Sequence, residues 1–121
     1  MVPSKLIASL HSLVNGALRS VAYYDEAKYD SLYRREDIEI GYTPEESQAI
    51  IDDLTVQGLS RQYLEGLFNA GALECTMLRF EDALMFHFPE SDHTGLFVTI
   101  DTGTTLDIDQ IVSLCESHLD T

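Results

Sequence analysis

Near residue 72 the apolar residues of this chain change period, and that change restricts the fold more than any other feature. Before it they recur every three or four residues, the repeat of a helix with one buried side; after it they alternate, the repeat of a strand. Leu6, Leu10, Leu13, Val14 and Ala17, behind Pro3-Ser4, predict an opening helix that ends near Gly16. Thr43-Pro44-Glu45-Glu46 sets a hydroxyl at a helix cap, proline at the first helical position and a glutamate three residues after the threonine, so a helix starts there. Ala49, Ile50, Ile51 and Leu54 supply its apolar side and Gly58 stops it. Ser60 opens a further helix, whose Leu64, Leu67 and Phe68 are expected to point inward before Gly71. Between these helices Ser20-Val21-Ala22-Tyr23-Tyr24 is short, β-branched and aromatic and predicts a strand. Asp25 then caps a predicted helix over 26–35, on which Tyr29 and Tyr33 stand one turn apart and Asp30 faces Arg34.

Beyond residue 72, Cys75, Met77 and Arg79 alternate with Thr76, Leu78 and Phe80, and Leu84, Phe86 and Phe88 with Met85 and His87. A two-residue Glu81-Asp82 turn sets Phe80 opposite Ala83 and Met77 opposite Phe86. Both faces of this hairpin are then apolar, so helices or a second subunit must cover both. Pro89 to Thr94 is a polar loop, Leu96 to Ile100 a third strand, and Asp107 with Gln110 caps a last helix that buries Ile108, Ile111, Val112, Cys115 and Leu119. No linker or repeat divides the chain. The expectation is one α+β domain over 1–121, an antiparallel sheet of about four strands with helices packed on it, in the order helix, strand, helices, three-stranded meander, helix.

Composition decides the setting. Twenty-one acidic residues against seven basic ones give a formal charge of -14, yet 45% of the residues are hydrophobic, enough for a core and too many for an acidic disordered tail. Lys5 and Lys28 are the only lysines. Such a surface repels itself in dilute salt and is screened near 1 M, where the Debye length is about 3 Å, which points to the cytoplasm of a salt-loving cell. The N-terminal apolar residues are interrupted by Ser9, His11, Ser12 and Asn15, so neither a signal-peptide core nor a membrane span is expected. The negative charge argues against nucleic acid, Arg34-Arg35 being the one basic cluster. Cys75 and Cys115 lack metal-site spacing and are expected to be buried thiols.

No residue set amounts to a reaction signature, so no catalytic residue and no cofactor is assigned. Asp101-Thr102-Gly103 resembles the catalytic triplet of retroviral-type aspartic proteases over three residues alone, and the expected reading is a turn that ends a strand. His87, Glu90, Asp92 and His93 gather at a strand end; His87, Asp92 and His93 are the candidates for a metal, against a surface loop with His87 opposite Thr76. Tyr24, Tyr29, Tyr33 and Phe68 are the candidates for contact with a partner or ligand, since tyrosine joins a broad apolar face to a hydroxyl.

Ser20 to Tyr24, then Tyr29-Asp30-Ser31-Leu32-Tyr33-Arg34-Arg35-Glu36-Asp37 and the Phe80-Glu81-Asp82 turn, resemble a group of small acidic haloarchaeal proteins of unknown function, over roughly residues 18–119. The element order also resembles the roadblock and profilin-like family of dimerising or sensing domains, although the hairpin usual after the first helix is replaced here by one strand and extra helices. A sheet apolar on both faces, combined with no reaction signature, points to a non-catalytic, homodimerising regulatory module with a protein partner, using the tyrosine-bearing helix and an exposed sheet edge. Two alternatives follow from the residues. One is a small-ligand sensor with a pocket near Tyr24, Tyr33 and Phe68; the other is a DNA-binding regulator of winged-helix type, from the helix pair followed by a hairpin.

Overall fold

The computed structural model describes residues 2–26, 28–38, 43–103 and 105–119. Helix α1 (Pro3–Val14) begins with proline in its first turn, where no intrahelical N–H is needed, and buries Leu6, Leu10 and Val14 at four-residue spacing. Asn15, at φ 54, ends it. A single 3-10 turn leads into β1 (Leu18–Asp25), and Glu26, also in the left-handed region at φ 54, turns the chain back into β2 (Lys28–Arg34). Helix α2 (Pro44–Leu59) carries the expected capping box: the Thr43 hydroxyl accepts from Glu46 N–H and the Glu46 carboxylate accepts from Thr43 N–H. Helix α3 (Arg61–Phe68), strands β3 (Thr76–Arg79), β4 (Ala83–Pro89) and β5 (Thr94–Asp101), and helix α4 (Ile108–Leu119) follow.

The five strands form one antiparallel sheet in the order β2-β1-β5-β4-β3. This α+β sheet is wider by one strand than the sequence predicts, and the extra strand is where the helix over 26–35 was expected. Tyr29 and Tyr33, and Asp30 and Arg34, do stand at helical spacing, but pairing with β1 prevails and sets Tyr29 opposite Tyr24 and Tyr33 opposite Val21. The hairpin expected to be missing after the first helix is therefore present. In β2 the register shifts between Val21 and Ala22, leaving Leu32 as an extra residue. That bulge sends Tyr29 and Tyr33, four residues apart, to opposite faces.

Helices α1 and α4 cover one face. Leu6, Leu10, Val14, Ile111 and Cys115 interlock there with Leu18, Val21, Leu84, Phe86, Phe88, Leu96, Val98 and Ile100, at about 1.5–3 kcal/mol for each large side chain buried. Helix α2 covers part of the other face, where Ile51 and Leu54 meet Ala22, Tyr24 and Phe97. Gly95 in β5 makes room for this second layer, because a Cβ there would stand 2.6 Å from the Tyr24 hydroxyl and 2.8 Å from the Phe88 carbonyl. The β3–β4 hairpin has the anticipated register, Met77 opposite Phe86 and Thr76 opposite His87, with Phe80 N–H donating to the Ala83 carbonyl. It lies within the sheet and forms no wing, so the winged-helix arrangement is not built. Of the α3 residues expected to point inward, Leu64 is half-buried, but Leu67 and Phe68 are exposed.

Candidate functional site

The sequence-nominated aromatic residues do not converge. Tyr24 is 1% exposed beneath α2, and desolvation pushes its hydroxyl up to about 12. Tyr29 is half-buried on the same side, Tyr33 packs on the α1 side edge-on to His11, and Phe68 stands in solvent on α3. Tyr24 and Tyr33 pack on opposite faces of the sheet, and Phe68 borders an apolar cavity of about 230 Å³ with Leu64, Ala70 and Leu73.

The nominated metal ligands are likewise parted. His87 is 3% exposed, with Nδ1 3.0 Å from Gln57 Oε1 and Nε2 2.7 Å from the Tyr24 hydroxyl. An amide oxygen only accepts, so Nδ1–H donates to Gln57 and Nε2 accepts the Tyr24 proton. Burial pushes this imidazole down to about 4, which keeps it neutral near pH 7. His87 thus latches α2 onto β4. Asp92 and His93 lie exposed in the β4–β5 turn, and among the described residues no group of three or more His, Cys, Asp or Glu side chains is placed to hold a cation.

Asp101 ends β5 in an ion-pair cluster. Its carboxylate accepts from Arg35 at 2.6 and 3.1 Å and from Arg19 at 3.2 Å, while Arg35 also donates to the Gly16 carbonyl at 2.7 Å. The Arg35 guanidinium, with Arg19 beside it, holds the Asp101 carboxyl below its ordinary range. A carboxylate so engaged is kept ionised, the opposite of one that shares a proton with a twin. Gly103, at φ 85, closes the turn. Cys115 is buried, its thiol pushed up to about 12 by desolvation, and Cys75 is half-buried; both are free.

Exposed apolar side chains concentrate instead along the chain from α2 to β3. Val56, Leu59, Tyr63, Leu67 and Phe68 are 53–71% exposed on the α2–α3 corner, and Met77, Leu78 and Phe80 are 43–53% exposed on and beside β3. Solvent rarely faces so many large apolar groups in succession without a partner. β3 is also an edge, pairing with β4 on one side alone among the described residues. The sequence contained a sign of the corner surface. Ile51, Leu54 and Gly58 face the sheet, and Val56, Leu59, Tyr63 and Leu67 repeat at helical spacing on roughly the opposite side.

A family model described as a domain of unknown function, DUF7522, matches residues 4–120. No curated protein matches the chain. Solved structures similar to it include a roadblock/LC7 domain from Streptomyces avermitilis, with a TM-score of 0.57 at 14% identity over 96% of this chain and 90% of that one. Two others are an MglB with tetrameric arrangement (TM-score 0.55, 12% identity, 97% and 81% coverage) and the gliding protein MglB of Thermus thermophilus (0.56, 11%, 98% and 83%). At these identities the likeness establishes a roadblock/LC7-like fold.

Proposed function

This chain belongs to the DUF7522 family, and we propose that it is a non-catalytic module which pairs with a second copy through the β3 edge and modulates a protein partner. The observation that carries the pairing is the finish of β3: backbone that pairs on one side alone among the described residues, with exposed Met77, Leu78 and Phe80 beside Arg79. An apolar edge strand is a template for another strand, and two copies related by a twofold axis can extend the sheet across the junction. The fold is compatible with assembly, since one solved structure of the same fold is described as tetrameric. Phe68, beside the β3 approach, is the sequence-nominated contact residue best placed for a partner; Tyr24, Tyr29 and Tyr33 support the sheet from within.

Screened carboxylates fit a cytoplasm rich in salt, supported by the formal charge of -14. No helix among the described residues is long and apolar enough to cross a membrane. Light scattering in roughly 1 M KCl, where self-repulsion is screened to about 3 Å, is the test. A dimer mass is expected, and a monomer at all concentrations ends the proposal.

A further inference from the structure

Arg61, the single cation of α3, lines a cavity of about 350 Å³ whose other charged walls are Glu74, Glu90 and Glu116 and whose apolar walls include Leu73 and Phe88. Arg61 is half-buried and forms no ion pair among the described residues; its Nη1 donates to the Pro89 carbonyl at 3.2 Å instead. The walls are held from outside the cavity. Glu90 Oε1 accepts from the Tyr23 and Thr94 hydroxyls, and Leu73 N–H donates to the Glu65 carboxylate at 2.7 Å. Phe88 is 1% exposed and belongs to the main core. A cavity of this size is at the small end of ligand sites, which span roughly 300–1,000 Å³ and pair apolar walls with a few convergent polar groups.

The charges state what would enter. A purely cationic ligand would be set against Arg61 and a purely anionic one against the glutamates, whereas a ligand with both charges close together meets each with its opposite. A planar guanidinium matches a carboxylate, and an ammonium brings three donors to carboxylates. Leu73 and Phe88 offer the remainder of the ligand an apolar wall. We propose that this cavity, between the start of α3, the end of β4 and α4, binds a free α-amino acid with an apolar side chain, its carboxylate on Arg61 and its ammonium on Glu74 and Glu90. The inference adds a ligand to the module argued above and uses none of the residues of the β3 pairing, so either can fail alone.

The test is isothermal titration calorimetry of the full chain with L-leucine and L-phenylalanine, in the lowest KCl at which circular dichroism shows the fold intact. At least one of the two is expected to bind, and its N-acetyl derivative and its amide to bind at least about tenfold more weakly. Those derivatives also stand for the C-terminus and the N-terminus of a peptide, so equal or tighter binding of either assigns the cavity to a peptide end and overturns the inference. Arg61→Gln is expected to lose about tenfold or more of the affinity for the amino acid while changing that for the amide little. Glu74→Gln with Glu90→Gln is expected to lose as much for the amino acid while changing that for the N-acetyl derivative little. Glu74 and Glu90 are exposed, so the second variant keeps the fold and decides the matter where Arg61→Gln unfolds. No heat from either amino acid up to about 10 mM, or binding indifferent to the glutamate substitutions, overturns the inference.

Discussion

The two margins of the sheet receive opposite treatment. At the β2 margin the exposed positions are Lys28, Asp30, Ser31 and Arg34, and Leu32 bulges out of register. Tyr33 packs under α1, Tyr29 joins the α2 layer, and Arg35, just beyond the strand, is tied to Asp101 and the Gly16 carbonyl. At the β3 margin the strand has four residues, Met77 and Leu78 are exposed beside an exposed Arg79, and α2 is bonded to β4 through His87 and Gln57. Charge, a bulge and overlap from both layers close an edge against strangers. The comparison sets a protected edge against the open one on which the proposed pairing rests.

The largest expected effect breaks that contrast at its open side. Leu78→Lys places a cation on β3 where a twofold-related copy would bring another, and like charges forced together in an interface cost several kcal/mol. The dissociation constant of the dimer is expected to rise at least about a hundredfold by light scattering, with thermal stability of the monomer little changed because Leu78 is 43% exposed. An unaltered dimer would place the pairing surface elsewhere.

Next in size is the latch that joins α2 to β4. The folded pKa of His87, about 4, lies below its ordinary 6.5, so the unfolded chain binds more protons between those values. The contribution is complete above pH 6.5 and declines as the pH falls toward 4, by about 3 kcal/mol across the interval. Asp53 is the charged group that most opposes the shift. In urea unfolding from pH 7 to 4, His87→Gln should flatten the loss. An identical slope in the variant would mean that the imidazole does not govern how α2 is held.

The closed side supplies a smaller effect with a different pH range. Asp101→Asn removes the anion shared by Arg19 and Arg35, at a cost of about 1–2 kcal/mol given that the carboxylate is about one-third exposed. Its folded pKa is depressed, so the stabilisation is present above the ordinary carboxylate value near 3.8 and vanishes as the pH falls through the lower folded value. The variant should lose the part of acid unfolding that lies below that of His87.

Local chemistry was legible in the sequence, and long-range pairing was not. The Thr43–Glu46 box and the register of the Phe80–Ala83 turn depend on neighbours a few residues apart, and both are as expected. The β2 strand was missed because Tyr29/Tyr33 and Asp30/Arg34 imitate a helix, and only β1, with the Leu32 bulge, separates the two tyrosines onto opposite faces. For α3 the stripe was visible but not which side of it faces water, since periodicity shows that a helix has two sides and not what stands beside either. The engagement of Asp101 rests on arginines 66 and 82 residues away, beyond the reach of any local pattern.

The smallest expected effect tests whether apolarity alone opens an edge. Ser31→Leu gives β2 an exposed apolar residue like those of β3, in solvent, where substitutions change stability by no more than about 0.5 kcal/mol. If charge composition were the whole difference, the variant would gain a second pairing surface and form chains of molecules. The bulge at Leu32 argues against this, because it interrupts the regular alternation of backbone groups that an incoming strand would need, and Lys28, Asp30 and Arg34 remain exposed along the strand. Light scattering should therefore give the same mass for Ser31→Leu as for the unaltered chain, and any larger assembly would show that the geometry of β2 does not protect it.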